Sequence, residues 1–207
     1  MVHGYHLILV AYGFWLPNDP RGSWSEFVGK WELVRFGRST KSLDRRESVA
    51  LSDAELHQRE AARKALRYPP VQFTGVQARA IGRGFAAACR CSDYTIWACS
   101  ILPEHTHLVL ARHRYQVEQI ANLLKGRSTR SLVEENLHPL AQYTRAGGRP
   151  PRMWAEHQWK VYLDSEEALE DAIRYVEDNP AKEGKPAQHW SFVTPFAGLD
   201  RGWVTYY

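Results

Sequence analysis

Cysteine is scarce in this chain. Cys89, Cys91 and Cys99 are the three present among 207 residues, an odd number with no CxxC pair. Neither a disulfide framework nor a cysteine zinc site is indicated, and the thiols read as buried or idle. No apolar run approaches the roughly 20 residues that a bilayer span needs. The chain does not open on the charged-then-apolar pattern of a secretion signal. A cytoplasmic protein with no membrane partner is therefore expected. Internal repeats and low-complexity tracts are missing too. Hydrophobic residues make up 44% and charged ones 24%, which excludes wholesale disorder. The length suits one well-buried core with elaborations, so a single domain over residues 1–207 is expected. A formal net charge of +4 fits a polyanionic partner without requiring one.

From Tyr5 to Tyr12 the chain is a β-rich run with almost no polar interruption, as in a central strand covered on both faces. Prolines, glycines and aromatics then break every regular period from Gly13 to Trp24. Trp15, Arg21 and Trp24 lie in that loop, where the two rings either stack on exposed bases or plug the edge of the core. Ser52-Asp53-Ala54-Glu55 has the pattern of a capping box, with Leu51 and Leu56 placed as a hydrophobic staple. It predicts a helix from Asp53 to Tyr68, ended by Pro69-Pro70. A second helix is predicted from Thr74 to Arg90 on the spacing of Ile81, Phe85 and Ala88, with Gly82 and Gly84 working against it. Strands from Tyr94 to Leu102 and from His105 to Ala111 should form a hairpin turned at Pro103-Glu104.

The stretch from Val117 to Leu137 is helical in character, with Val117, Ile120, Ala121 and Leu124 on its apolar side and Lys125, Arg127 and Arg130 on its polar side. Arg149 and Arg152 belong to a basic loop from Gly147 to Arg152, and Gln158 to Leu163 alternates as a strand should. Asp164-Ser165-Glu166-Glu167 opens a capped helix that runs to Pro180. With residues 13–73 set aside as an elaboration and 180–207 as a C-terminal tail, the order is βαββαβ plus one further helix. That is the α+β, ferredoxin-like arrangement, in which the first and third strands are central.

His105 and His107 alternate on the third strand, so they share one face while Thr106, Leu108 and Leu110 take the other. Alone, such a pair is half of a metal site. On the last helix Tyr175 and Asn179 lie one turn apart, flanking a core stripe of Leu169, Ala172, Ile173 and Val176. If that helix covers the histidine face, His105, His107 and Asn179 offer two nitrogens and one oxygen to a divalent ion, with positions left open for phosphate oxygens. Tyr175 would then stand beside the phosphate. A free phenol titrates near pH 10, so attack requires a metal that polarises the phosphate and favours the phenolate. The product of attack on a phosphodiester would be a phosphotyrosine, which conserves the bond for later rejoining. Two rival tyrosines are Tyr162, on a strand that would carry it into the core, and Tyr143, which lacks a helical polar partner.

The run Pro103-Glu104-His105-Thr106-His107-Leu108-Val109-Leu110, followed by Tyr175-Val176-Glu177-Asp178-Asn179-Pro180-Ala181-Lys182-Glu183-Gly184, resembles the HUH (His-hydrophobic-His) single-tyrosine transposases. The likeness is greatest to the group that includes the REP-associated tyrosine transposases. The opening from Tyr5 to Trp24 is also similar to the start of many such proteins, and order and spacing agree from Tyr5 to Phe196. The resemblance implies a metal-dependent endonuclease acting on single-stranded DNA, usually near a hairpin, that leaves a 5′-phosphotyrosine and a free 3′-OH. His105 and His107 would bind Mg2+ or Mn2+, Tyr175 would be the nucleophile, and Asn179 would take the place of the polar third ligand. Thr106 stands where the family has a hydrophobic residue, and Asn179 where glutamine is frequent.

Some members of the family exchange the tyrosine helix between subunits, so a homodimer is a further expectation. For DNA, Lys125, Arg127, Arg130, Arg149 and Arg152 are candidate phosphate contacts, with Arg21, Trp15 and Trp24 at an exposed base. Two alternatives are a hairpin-binding protein of the same fold that does not cut and a rolling-circle replication or mobilisation nuclease.

Overall fold

The structure, a computed structural model, describes residues 1–14 and 52–199. Trp15, Arg21, Trp24 and Leu51 lie outside the described residues. The elements are β1 (Gly4–Ala11), α1 (Asp53–Lys64), α2 (Gly75–Ser92), β2 (Ile96–Ile101), β3 (His105–Ala111), α3 (Val117–Glu134), a 3-10 turn (Ala141–Tyr143), β4 (Trp154–Leu163) and α4 (Glu166–Lys182). Two compact units result: Met1–Val10 with the chain from Phe73 onward, and Ala11–Gln72. In the smaller unit α1 ends at Lys64, short of the expected Tyr68, as the ladder tightens to a three-residue bond from Leu66 N to Arg63 O at 3.2 Å. Tyr12 O accepts from Val71 N at 2.8 Å.

The larger unit holds a four-stranded sheet in the order β2-β3-β1-β4, with β3 antiparallel to both β1 and β2. The first and third strands are central, as the βαββαβ order requires. In β1 and β3 the register pairs His6 with Val109, Ile8 with His107 and Val10 with His105. Paired residues share a face, so these six side chains line one side of the sheet. Leu7, Leu9, Leu108 and Leu110 line the other and are fully buried. Cover on both sides explains the unbroken apolar character of β1.

Helices α2 and α3 pack against each other, α2 touching β2 and α3 touching β4. Gly82 and Gly84 do not interrupt α2. A Cβ on Gly84 would lie 2.5 Å from Ser128 Cα of α3, and one on Gly82 would lie 2.5 Å from the Trp190 ring. Helix propensity is given up here for close approach. A reciprocal cap between Thr74 and Gln77 starts α2, and Asp93 in the left-handed conformation ends it.

Lys125 departs from its expected place on the polar side of α3. It is buried, and its Nζ donates to the carbonyls of Ala155, Glu156 and His157 at 2.9, 3.1 and 3.2 Å. Burial pulls its pKa down to about 8, opposed by the negative charge of Glu156 and reinforced by the positive charge of Arg152. This clamp sits at the start of β4, which opens at Trp154 rather than at Gln158.

Helix α4 lies over the histidine face. Its Leu169, Ala172 and Val176 form one buried cluster with Val109 of β3, Ala98 of β2 and Leu163 of β4. It also runs through Pro180 to Lys182, past the expected stop, because a proline this near the C-terminus removes one ladder bond while Glu183 N still reaches Asn179 O and Pro180 O. The segment 184–199 then turns back along the outer edge of β2. There Gln188 accepts from Ile101 N at 2.8 Å and donates to Ile101 O at 2.9 Å, and Thr194 N donates to Ile96 O at 2.8 Å. The edge strand is thereby covered. No helix among the described residues is long and apolar enough to cross a membrane.

Candidate active site

Ser165 caps α4 by accepting from Ala168 N at 3.1 Å, and Glu166 and Glu167 complement the positive end of the helix dipole in the first turn. With Leu169, Ala172 and Val176 turned to the sheet, Tyr175 and Asn179 fall beside the histidines. The Tyr175 ring stands edge-on to His107 at 5.6 Å between centroids and to His6 at 5.7 Å. The Lys182 ammonium lies 4.8 Å from the centre of the same ring, a cation–π contact that helps hold it. One turn further on, Asn179 is 7% exposed and its side-chain nitrogen is buried without a hydrogen-bond partner. A further turn brings Glu183 Oε1 to 3.8 Å from His105 Nε2. Tyr175, Asn179 and Glu183 thus form one stripe at a spacing of four residues.

Asn179 could have been in this position simply to stop the helix. The continuation of α4 to Lys182 removes that explanation. The residue instead stays helical directly before a proline, a place that disfavours the α conformation.

Sequence reasoning missed His6. Its Nε2 lies 3.0 Å from Nδ1 of His107, and the two rings are tilted by 32° at 5.2 Å. Which ring donates depends on the tautomer. Burial lowers the pKa of His6 to about 4, and burial, followed by the neighbouring His105 and His6, holds His107 well below the usual imidazole range. Both are neutral at neutral pH, the state in which imidazole binds metals. The signal for His6 was its place in a central strand, but knowing that it shares the face of His107 takes the register. Ser100 was missed for the same reason: it pairs with His107 from β2 and is fully buried, its Oγ unpartnered.

The fold therefore brings His105, His107, Tyr175 and Asn179 to one side of the sheet within a single chain. Tyr162 is not in the core as expected: it is 53% exposed on β4, at the edge of the sheet. Tyr143 is 38% exposed in the 3-10 turn. Of the candidate DNA contacts, Lys125 is consumed by its carbonyl clamp. Arg130, Arg149 and Arg152 are exposed, and Arg127 is half-buried. Arg130 pairs with Glu134 and Arg152 with Glu156 at 3.4 and 3.8 Å. Cys99 is buried, and burial pushes the half-buried Cys89 thiol up to about 11, while Cys91 is exposed. Among the described residues no three His, Cys, Asp or Glu side chains gather into a cation site.

No family model matches the chain, and no curated protein does. Among solved structures, a REP-associated tyrosine transposase bound to a REP hairpin is similar over 97% of this chain and 93% of that one, at 13% identity and a TM-score of 0.46. The two share a chain course only loosely.

Proposed function

We propose that the protein is a metal-dependent nuclease and strand transferase for single-stranded DNA of the single-tyrosine HUH kind, a transposase or a domesticated relative. The observation that carries this reading is the seating of α4 on the histidine face, with Tyr175 5.6 Å from His107 between ring centroids. The motif resemblance supplies the substrate, single-stranded DNA beside a hairpin. His105, His107 and Asn179 would hold Mg2+ or Mn2+. Burial that keeps His107 neutral supports the fit. When bound, the ion would polarise the phosphodiester for attack.

The chain's own residues do the rest. The Tyr175 phenol oxygen forms a bond to phosphorus as the bond from phosphorus to the 3′ oxygen breaks, and the phenolic proton passes, in net terms, to the departing oxygen. A 5′-phosphotyrosine and a 3′-OH result, and reversal with another 3′-OH rejoins strands. His6 acts on His107. With Nε2 of His107 used as a ligand, its Nδ1 carries the proton and donates to Nε2 of His6, which fixes the ring's tautomer and direction. Arg127, Arg130, Arg149 and Arg152 remain candidate phosphate contacts, with Arg21, Trp15 and Trp24 the candidates for contact with an exposed base.

The test is an end-labelled hairpin oligonucleotide incubated with the protein and Mn2+, followed by denaturing electrophoresis. A covalent adduct should form with the wild type and with Tyr162→Phe, and should vanish with Tyr175→Phe. An adduct that persists in Tyr175→Phe removes this tyrosine from the mechanism. The rival reading is a hairpin-binding protein of the same fold that does not cut. Tight binding without an adduct in any divalent ion would decide for it.

A further inference from the structure

At the opposite end of β1 and β3 from the histidines lies a cavity of about 1180 Å3, lined by Tyr5, Trp97, Arg112, His113, Arg114 and Tyr115 among others. The register shows its place: Gly4 pairs with Ala111 at this end and Val10 with His105 at the other. Ala111 and His107 are four residues apart on one strand, about 13 Å. That distance spans no more than about four nucleotides of stacked strand, given roughly 3.4 Å per nucleotide.

The wall is organised before any ligand arrives. Tyr115 N donates to Nδ1 of His113 at 3.1 Å, and Tyr94 meets the His113 ring edge-on at 4.9 Å. The Tyr115 ring lies 5.0 Å from that of His113, with the Arg114 guanidinium 5.2 Å from its centre. Trp97 is braced by Phe196 at 4.9 Å. Arg112 is fixed at its backbone by a bond from its N to His3 O at 2.8 Å, and among the described residues its guanidinium makes no hydrogen bond or ion pair. Among the described residues of the lining, Asp93 is the one carboxylate, against the guanidiniums of Arg112 and Arg114. The volume exceeds the roughly 300–1,000 Å3 usual for a small-molecule site. Aromatic faces rimmed by guanidiniums form the pattern that binds unpaired nucleotides, bases on the rings and phosphates on the cations.

We propose that this cavity is a subsite for the single-stranded DNA flanking the scissile phosphate, with Tyr115 and Trp97 stacking bases and Arg112 and Arg114 holding phosphates. The assignment of DNA as the ligand rests on the function proposed above. The subsite is distinct from the histidine and tyrosine cluster and sets affinity rather than chemistry.

The experiment measures fluorescence anisotropy of a labelled hairpin with single-stranded arms, titrated with the full chain at several salt concentrations, alongside adduct formation at saturating DNA. The double variant Arg112→Ala/Arg114→Ala should bind at least tenfold more weakly and lower the salt slope by about 1.4, at about 0.7 per single-strand phosphate contact. Tyr115→Ala should weaken binding about 5- to 100-fold, and Tyr115→Phe should restore it. Adduct yield at saturating DNA should not change. If adduct forms normally while affinity and salt slope stay at wild-type values in all variants, the subsite falls and the cleavage reading stands. If the wild type makes no adduct in any divalent ion but the variants lose affinity as stated, the cleavage reading falls and the subsite stands.

Discussion

On one side of β3, Leu108 and Leu110 are fully buried, and elsewhere in the core α2 and α3 come so close that Gly84 has no room for a methyl group. On the other side, His105 and His107 lie beneath α4, flanked by a tyrosine, an asparagine and a serine. The leucine face is shut off from water, whereas His6, His105 and Tyr175 on the other face are only partly buried. Among the described residues of the leucine face, the Thr106 hydroxyl is buried without a partner. The histidine face leaves the Ser100 hydroxyl and the Asn179 amide nitrogen unsatisfied, at a cost of about 1–3 kcal/mol for each such group. A fold keeps groups like these where something other than stability requires them. The contrast separates residues that hold the protein together from those to which the proposed chemistry falls.

Leu108→Ala should show the largest effect, a loss of about 2–5 kcal/mol, read as a fall in thermal midpoint of about 2–4 °C per kcal/mol. A loss below 1 kcal/mol would mean that the leucine face is looser than its burial suggests. Acid should act through the histidine face. The pKa of His6 falls from 6.5 when unfolded to about 4 when folded, so between those values the unfolded chain binds more protons. Stability is therefore fully present above about pH 6.5 and is lost as the pH drops through about 4, by roughly 3 kcal/mol at most for this group. Urea titrations of metal-free wild type and His6→Gln across that interval should show a shallower slope in the variant. Equal slopes would take His6 out of the acid response.

Gly84→Ala should cost about 1–3 kcal/mol by overpacking against Ser128, while adduct formation by the folded fraction stays intact. An equal loss of both would break the separation of the faces. Asn179→Ala should change stability least, because removal of an unsatisfied buried amide nitrogen offsets the cavity that truncation leaves. The same variant should lower Mn2+ affinity by about tenfold or more, measured by calorimetry. A strongly destabilised variant with unchanged Mn2+ affinity would make Asn179 a structural residue.

The strand and helix order could be read from the chain because apolar periodicity and caps are local properties. The pairing of the histidine strand with the tyrosine helix could be read only as a condition, since a sequence does not say which face of a sheet a helix will cover. His6 and Ser100 escaped for a related reason: strand alternation sorts residues within one strand, and only register relates one strand to the next. Lys125 was misplaced although Ala121 stands four residues before it on the apolar side of α3, a position from which a long side chain reaches inward. Pro180 misled in the opposite direction. Proline ends helices on average, but near a C-terminus the one donor it lacks is a small loss.

The segment 184–199 bears on assembly. Chains of this architecture could double by laying two edge strands side by side into a single continuous sheet, but at β2 the amide and carbonyl of Ile101 are both engaged by Gln188, and the Ile96 carbonyl is engaged by Thr194. A second copy arriving at β2 would find these bonding positions taken by the chain's own segment. Any pairing there must first peel this segment away, so self-association through this edge and the ordered course of residues 184–199 exclude one another.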